Sequence, residues 1–281
     1  MPHEPDNAMC YVRPDSDQLF FLFTGLGEGL NIHPLDFIRQ TGIGSRNIVI
    51  FHDPHRACYR EGISKEYDSL DGIVRWQRER LADRFAHVRE VFCAGSSGGA
   101  FPAIYTGYRL GAKAAWSFAG CVAMPSVIAE RERTSIEISR KVTGRSRLGK
   151  LTEDERARLA QTMDQPEMRQ LRQNLCENPD MVLDWERINH FVGLLRDTPN
   201  ATQLHLYYVP TNPLDRPFAE AFRGCPQVTI HPLTDPRGEE PAPKHLVFYR
   251  IDHEVVVILQ YTGNLPGVFS SYLQPSIRPA G

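Results

Sequence analysis

Several things are scarce in this chain of 281 residues. It has no excess of one charge: 32 Lys and Arg stand against 34 Asp and Glu, for a net charge of −2. A globally basic surface for nucleic acid or an anionic membrane is therefore not expected. It has no apolar run near the ~20 residues that a membrane span requires. It has no Cys-x-x-Cys pair. The six cysteines stand at 10, 58, 93, 121, 176 and 225, and the nearest two are 28 positions apart. Neither a zinc ribbon nor a redox pair fits that spacing. Cys93 in VFCAG and Cys121 in SFAGC read as small buried hydrophobes. The opening MPHEPDNAMCYVRP has neither a basic nor an apolar stretch of signal-peptide type, so a reducing cytoplasmic location is the expectation. Disorder as the main state is excluded, because 41% of the residues are hydrophobic and 10% aromatic.

What is present is an alternation of strands and helices. Gln18–Phe23 (QLFFLF) is an unbroken apolar run that ends at Thr24-Gly25, as a buried strand does. Arg46–His52 (RNIVIFH) is the next strand and stops at Asp53-Pro54. Ser69–Phe85 carries Leu70, Ile73, Val74, Leu81 and Phe85 at helical spacing behind Ser69 as N-cap. Val91–Ala94 is a short strand, Ala100–Leu110 a helix closed by Gly111, and Ala114–Phe118 another strand.

From about Pro125 to Pro199 the pattern changes to charged and helical. Thr152 and Glu155 make a capping box, and Asn178-Pro179 opens a helix with Trp185, Ile188, Val192 and Leu195 on its apolar stripe. Strands return with Leu204–Pro210 and Gln227–Pro232, and Lys244–Ile251 is a further candidate. His253–Tyr261 reads as the last helix despite its β-branched residues. The expectation is an α/β fold: a mostly parallel central sheet flanked by helices, with an inserted helical cap. Residues 1–124 and 200–281 form the core, and 125–199 the cap, above the sheet edge where such folds bind ligands.

One motif carries chemistry. Gly95-Ser96-Ser97-Gly98-Gly99 has the form G-x-S-x-G, directly after an apolar strand and directly before a helix. A turn that tight puts its serine in a strained backbone conformation. The residues two before and two after must be tiny, which Gly95 and Gly99 satisfy. Ser97 then projects above the sheet beside a helix N-terminus that favours negative charge. The plain alternative is a small-residue loop that lets strand and helix pack closely.

With that motif, the Gly turn after an earlier strand and the order of serine, acid and histidine, the chain resembles the α/β-hydrolase superfamily. The resemblance covers most of the chain outside 125–199. It implies a sheet of eight strands in the usual form, of which six or seven are placed here, so one early strand is expected to be missing. It implies an acid in the loop after the strand that follows the cap. Asp215, in TNPLD, is the carboxylate there, and the competing role is a turn or N-cap at the helix RPFAEAF. It implies a histidine after the last strand. Two compete: His253, just before the final apolar helix, and His245, at the start of KHLVFYRI. The oxyanion hole would combine the N–H of Gly98 with that of Leu26 in Gly25-Leu26-Gly27.

The expected activity is a serine hydrolase cleaving an ester or thioester through an acyl-enzyme on Ser97. The alternatives are an acyltransferase passing the acyl group to an alcohol or amine, and a non-catalytic module that keeps the fold. The substrate class is a small-molecule or carrier-linked acyl compound; no cofactor, metal, nucleic acid or membrane partner is expected. Gly25-x-Gly27-x-Gly29 fails as a dinucleotide fingerprint, because Leu30 holds the position of the third glycine. His52-Asp53-x-His55 has metal-like residue types but no fourth ligand nearby, and reads as a loop at the pocket mouth. Arg131–Lys150, with seven basic residues against two Glu, reads as a solvated helix face or as a surface for an anionic substrate group.

Overall fold

The structure is a computed structural model that describes residues 7–25, 30, 34–55, 57–118, 120, 184–208, 210 and 215–232. Among the described residues seven strands form one sheet: β1 (Ala8–Tyr11), β2 (Gln18–Phe23), β3 (Asn47–Phe51), β4 (Glu90–Ser96), β5 (Ala114–Phe118), β6 (Gln203–Tyr208) and β7 (Val228–Pro232). Their spatial order is β1-β3-β2-β4-β5-β6-β7. Only β1 runs antiparallel to its neighbour. Five helices are described: α1 (Pro34–Thr41), α2 (Leu70–Ala82), α3 (Ala100–Leu110), α4 (Trp185–Asp197) and α5 (Asp215–Ala221).

The unbroken apolar strands have the burial that they require. Phe20 and Leu22 of β2 face one core cluster, with Phe92, Trp116 and Phe37 of α1. Leu19, Phe21 and Phe23 face the other, with residues of α2, α3, α4 and α5. Alternate residues of one strand thus serve two apolar layers, which is the expected state of a strand covered on both faces.

The helix limits follow local chemistry. Ser69 N-caps α2, and its side chain accepts from Gly72 N–H at 3.1 Å. Ser69→Ala is expected to cost about 1 kcal/mol, while Ser69→Asp keeps the cap. Urea midpoints of the two variants check this, and equal midpoints would contradict the role. Gly111 ends α3 with φ 67°, the left-handed conformation that glycine adopts most cheaply.

The mostly parallel sheet, the five inner strands, the start of α2 and the limits of α3 agree with the sequence reading, whereas α2 ends at Ala82, short of the expected Phe85. Two elements were not anticipated. β1 has four residues, too few for a periodicity to stand out, and α1 has eight. The helix carrying Trp185, Ile188, Val192 and Leu195 opens at Asp184 rather than at Asn178-Pro179. The Asp184 carboxylate accepts from Arg187 N–H at 3.1 Å and sets the start there. That helix also lies within the stretch read as a cap, yet its Ile188, Phe191, Val192 and Leu195 are part of the core beside Phe101 and Tyr105 of α3. Residues 121–183, with the Thr152–Glu155 capping box and the basic stretch Arg131–Lys150, lie outside the described residues, as do 233–281 with Lys244–Ile251.

Candidate active site

β4 delivers its last residue, Ser96, to the C-terminal edge of the sheet, level with Phe118 of β5, which in turn pairs with Tyr207 of β6. The chain then turns sharply through a 3-10 turn, Ser97–Gly99, into α3. Ser97 has φ 51°. A non-glycine residue in that region is held there at a cost, because its Cβ crowds the following carbonyl oxygen.

The two flanking glycines show why the turn is closed to other residues. A Cβ on Gly95 would overlap the backbone carbonyl of Gly99 and stand 3.0 Å from the Ala103 Cβ. A Cβ on Gly99 would run into the carbonyl of Phe23 and stand 2.7 Å from Thr24 O. Thus β4, the turn and α3 are pressed together and against the end of β2. The sequence reading asked for tiny residues two before and two after the serine, and the backbone leaves room for nothing else.

The end of β2 approaches the turn from the other side. A Cβ on Gly25 would lie 3.1 Å from Ser96 O and 3.2 Å from the Ser97 Cβ. The loop that begins at Gly25 therefore starts in contact with the serine. Leu26 itself, expected to lend an N–H, lies outside the described residues, whereas Gly98 is described and buried.

Asp215 is the first residue of α5 and is only 2% exposed. Its helix packs against β6 and α4. Phe218, one turn on, lies edge-on to Phe101 of α3 with ring centroids 6.4 Å apart. A Cβ on Gly120, just past β5, would overlap the Phe218 ring. The structure thus brings Ser97, Gly98 and the helix that carries Asp215 to one edge of the sheet. His245 and His253 lie outside the described residues.

Two described histidines lie elsewhere on the sheet. His205 of β6 and His231 of β7 approach each other at 3.2 Å between ring nitrogens. They continue an aromatic row with Trp116 and Tyr207. Burial holds both below the usual histidine range, His205 at about 4, with His231 adding to that shift. His205 pairs in register with Trp116, within the sheet rather than at the exit that carries Ser97.

His52-Asp53-x-His55 proves to be a loop device. Asp53 accepts from His55 N–H at 3.1 Å and from Tyr59 N–H at 2.9 Å, and so fastens the segment after β3. His55 pairs with Glu61 at 3.3 Å. Among the described residues no cluster of three or more His, Cys, Asp or Glu is placed to hold a metal ion. Nor is any helix among them long and apolar enough to cross a membrane. Cys58, Cys93 and Cys225 are buried, and burial pushes the Cys93 thiol up to about 12. That fits the reading of small buried hydrophobes.

No protein-family model matches the sequence, and no curated protein matches it. Among solved structures the chain is similar to a monoacylglycerol lipase of Paleococcus ferrophilus, with 13% identity over 90% of this chain and 96% of that one, at a TM-score of 0.50. An esterase of Pyrococcus furiosus matches at 13% identity over 89% and 84%, with a TM-score of 0.48. A proline iminopeptidase of Mycobacterium smegmatis matches at 10% identity over 91% and 93%, with a TM-score of 0.47. Such low identities speak of architecture alone. The chain has the α/β-hydrolase fold.

Proposed function

We propose that the chain is a serine hydrolase that cleaves an ester or thioester through an acyl-enzyme on Ser97. The observation that carries this reading is the backbone of Ser97. It is held at φ 51° between two glycines whose Cβ positions are already occupied by backbone. A loop that served only close packing would place glycine at 97 and avoid the strain. A serine kept there spends stability on the direction in which its hydroxyl points.

In this reading His253 takes the Ser97 proton as Oγ attacks the acyl carbon, and His245 is the alternative base. The Gly98 and Leu26 N–H groups hold the oxygen that becomes negative. The C–O or C–S bond to the leaving group then breaks, and the imidazolium returns the proton to that group. Water, deprotonated by the same imidazole, attacks the acyl-enzyme, and Ser97 regains its proton as the acid departs. Asp215 accepts from the other ring nitrogen, fixes the tautomer and stabilises the imidazolium. Its burial at the start of α5 supports that role, since a buried carboxylate next to an imidazolium acts through little screening.

The test is labelling by a fluorophosphonate, followed by mass mapping of the adduct. The expected adduct is on Ser97, with labelling slowed in His253→Ala and kept in His245→Ala. The reverse pattern would move the base to His245. A folded wild-type protein that takes no label would overturn the reading and leave a non-catalytic module on a hydrolase fold.

A further inference from the structure

The loop after β3 contains a second strained segment, outside the serine turn. Cys58 and Tyr59 are consecutive non-glycine residues at φ 54° and φ 59°, and both are fully buried. Each conformation is costly for a residue with a Cβ, and two in succession need a strong local reason. The Asp53 carboxylate supplies part of the hold through the Tyr59 and His55 N–H groups.

The result of this geometry is the place of one hydroxyl. Tyr59 Oη donates towards Phe51 O at 2.8 Å and Thr24 O at 3.1 Å, and lies 3.4 Å from Thr24 Oγ1. Thr24 Oγ1 itself donates to Phe51 O at 3.0 Å, and Thr24 N–H donates to the same oxygen at 3.2 Å. Burial pushes the Tyr59 phenol well above its usual range, with the Asp53 charge adding to the effect, so the hydroxyl keeps its proton as a donor. The last carbonyl of β3 and the residue that leaves β2 are thereby tied to one buried ring. The ring also packs edge-on against Phe23, with centroids 5.4 Å apart.

The tied residue, Thr24, is followed by Gly25, which lies against Ser96 and Ser97. We propose that Tyr59 is a positioning residue for acyl transfer: its hydroxyl, through Thr24 and Phe51, fixes the exit of β2 so that Gly25, packed against Ser96 and Ser97, holds the serine turn in place and with it the Gly98 N–H that faces the oxygen of the carbon attacked by Ser97. This rests on the serine-hydrolase reading above. A donor that shifts by a fraction of an ångström stabilises the tetrahedral state less while substrate still binds. The loss therefore falls on kcat rather than on KM.

The experiment compares wild type with Tyr59→Phe, using p-nitrophenyl butyrate as substrate and phenylboronic acid as a mimic of the tetrahedral adduct. Near-UV circular dichroism establishes that the variant is folded. The expected result is a fall in kcat of about 10- to 100-fold, KM within about twofold, and boronate affinity weakened by about the same factor as kcat. A folded variant with unchanged kcat and boronate affinity, or with the loss in KM alone, would overturn the proposal. If Tyr59→Phe does not fold, Thr24→Val against Thr24→Ser decides. The serine variant, which keeps the hydroxyl, is expected to recover most of the kcat and boronate affinity that the valine variant loses; equal values for the two would overturn the proposal. Ser97→Ala separates the levels. If it retains turnover, the site reading fails and the proposal with it; if it is inactive while Tyr59→Phe behaves as wild type, only the role of Tyr59 is lost.

Discussion

Ser97→Gly is expected to abolish turnover and to make the protein more stable. The two effects have one cause, the position of residue 97 in the left-handed region at φ 51°. A residue with a Cβ costs roughly 1–2 kcal/mol there. Glycine removes that cost but loses more entropy on folding, by roughly 0.5–1 kcal/mol. The balance favours the glycine variant by about 0.5–1 kcal/mol. Ser97→Ala keeps the Cβ and the strain, so its stability should stay within about 0.5 kcal/mol of wild type. Both variants lose the nucleophile. The expected fall in kcat on p-nitrophenyl butyrate is about 10⁶-fold, the scale on which loss of a serine nucleophile acts. Denaturant midpoints and ester kinetics on the three proteins check both halves. Stability equal in the glycine and alanine variants would remove the argument that strain is maintained at 97 for its chemistry. Activity retained in either would remove the chemistry.

How much of this was readable from the sequence depends on the range of each interaction. The serine turn was readable because its constraint is local: five residues, three of them glycines, between an apolar strand and a helix. The start of α2 and the end of α3 were readable for the same reason, since Ser69 caps with its own side chain and Gly111 closes with its own φ. The crush between Gly99 and the Phe23 carbonyl was not readable, because it joins residues brought together only by the pairing of β2 with β4. Tyr59 was missed for a related reason. Nothing in RACYREG marks two consecutive left-handed residues, and the partners of the phenol are backbone oxygens on β2 and β3. α4 shows the opposite case, a helix at the end of the stretch read as a cap that contributes to the core. Its charged surroundings suggested a cap, but its stripe of Ile188, Phe191, Val192 and Leu195 had to be buried somewhere, and α3 together with Phe222 supplied the surface. A charged segment can still present one apolar face to the core.

Gly99→Ala should be among the most destabilising single changes in the described part of the chain, and conformational preference is not the reason. Gly99 has φ −87° and ψ −9°, which alanine adopts freely. The cost is space alone. The new methyl would fall on the Phe23 carbonyl and stand 2.7 Å from Thr24 O, and these are backbone atoms at the end of a strand paired on both sides, with β3 and with β4. A side chain could swing away; a paired strand cannot. Overpacking usually costs 1–3 kcal/mol, and here the upper end is expected, about 3 kcal/mol, a large part of a typical domain's 5–15 kcal/mol. Gly111→Ala is the matched control. At Gly111 nothing lies within 4 Å of the added methyl, but φ is 67°. Its cost is conformational only, about 1 kcal/mol after allowing for the lower entropy of the unfolded alanine chain. Urea unfolding of the two variants separates the mechanisms. Fluorophosphonate labelling adds a second axis, because any shift of Phe23 and Thr24 carries Gly25 away from Ser97, so folded Gly99→Ala should label slowly while Gly111→Ala labels like wild type. Equal midpoints for the two variants, or normal labelling of folded Gly99→Ala, would mean that β2 can give way at its end, and the close approach of Gly25 to Ser97 would lose its rigid support.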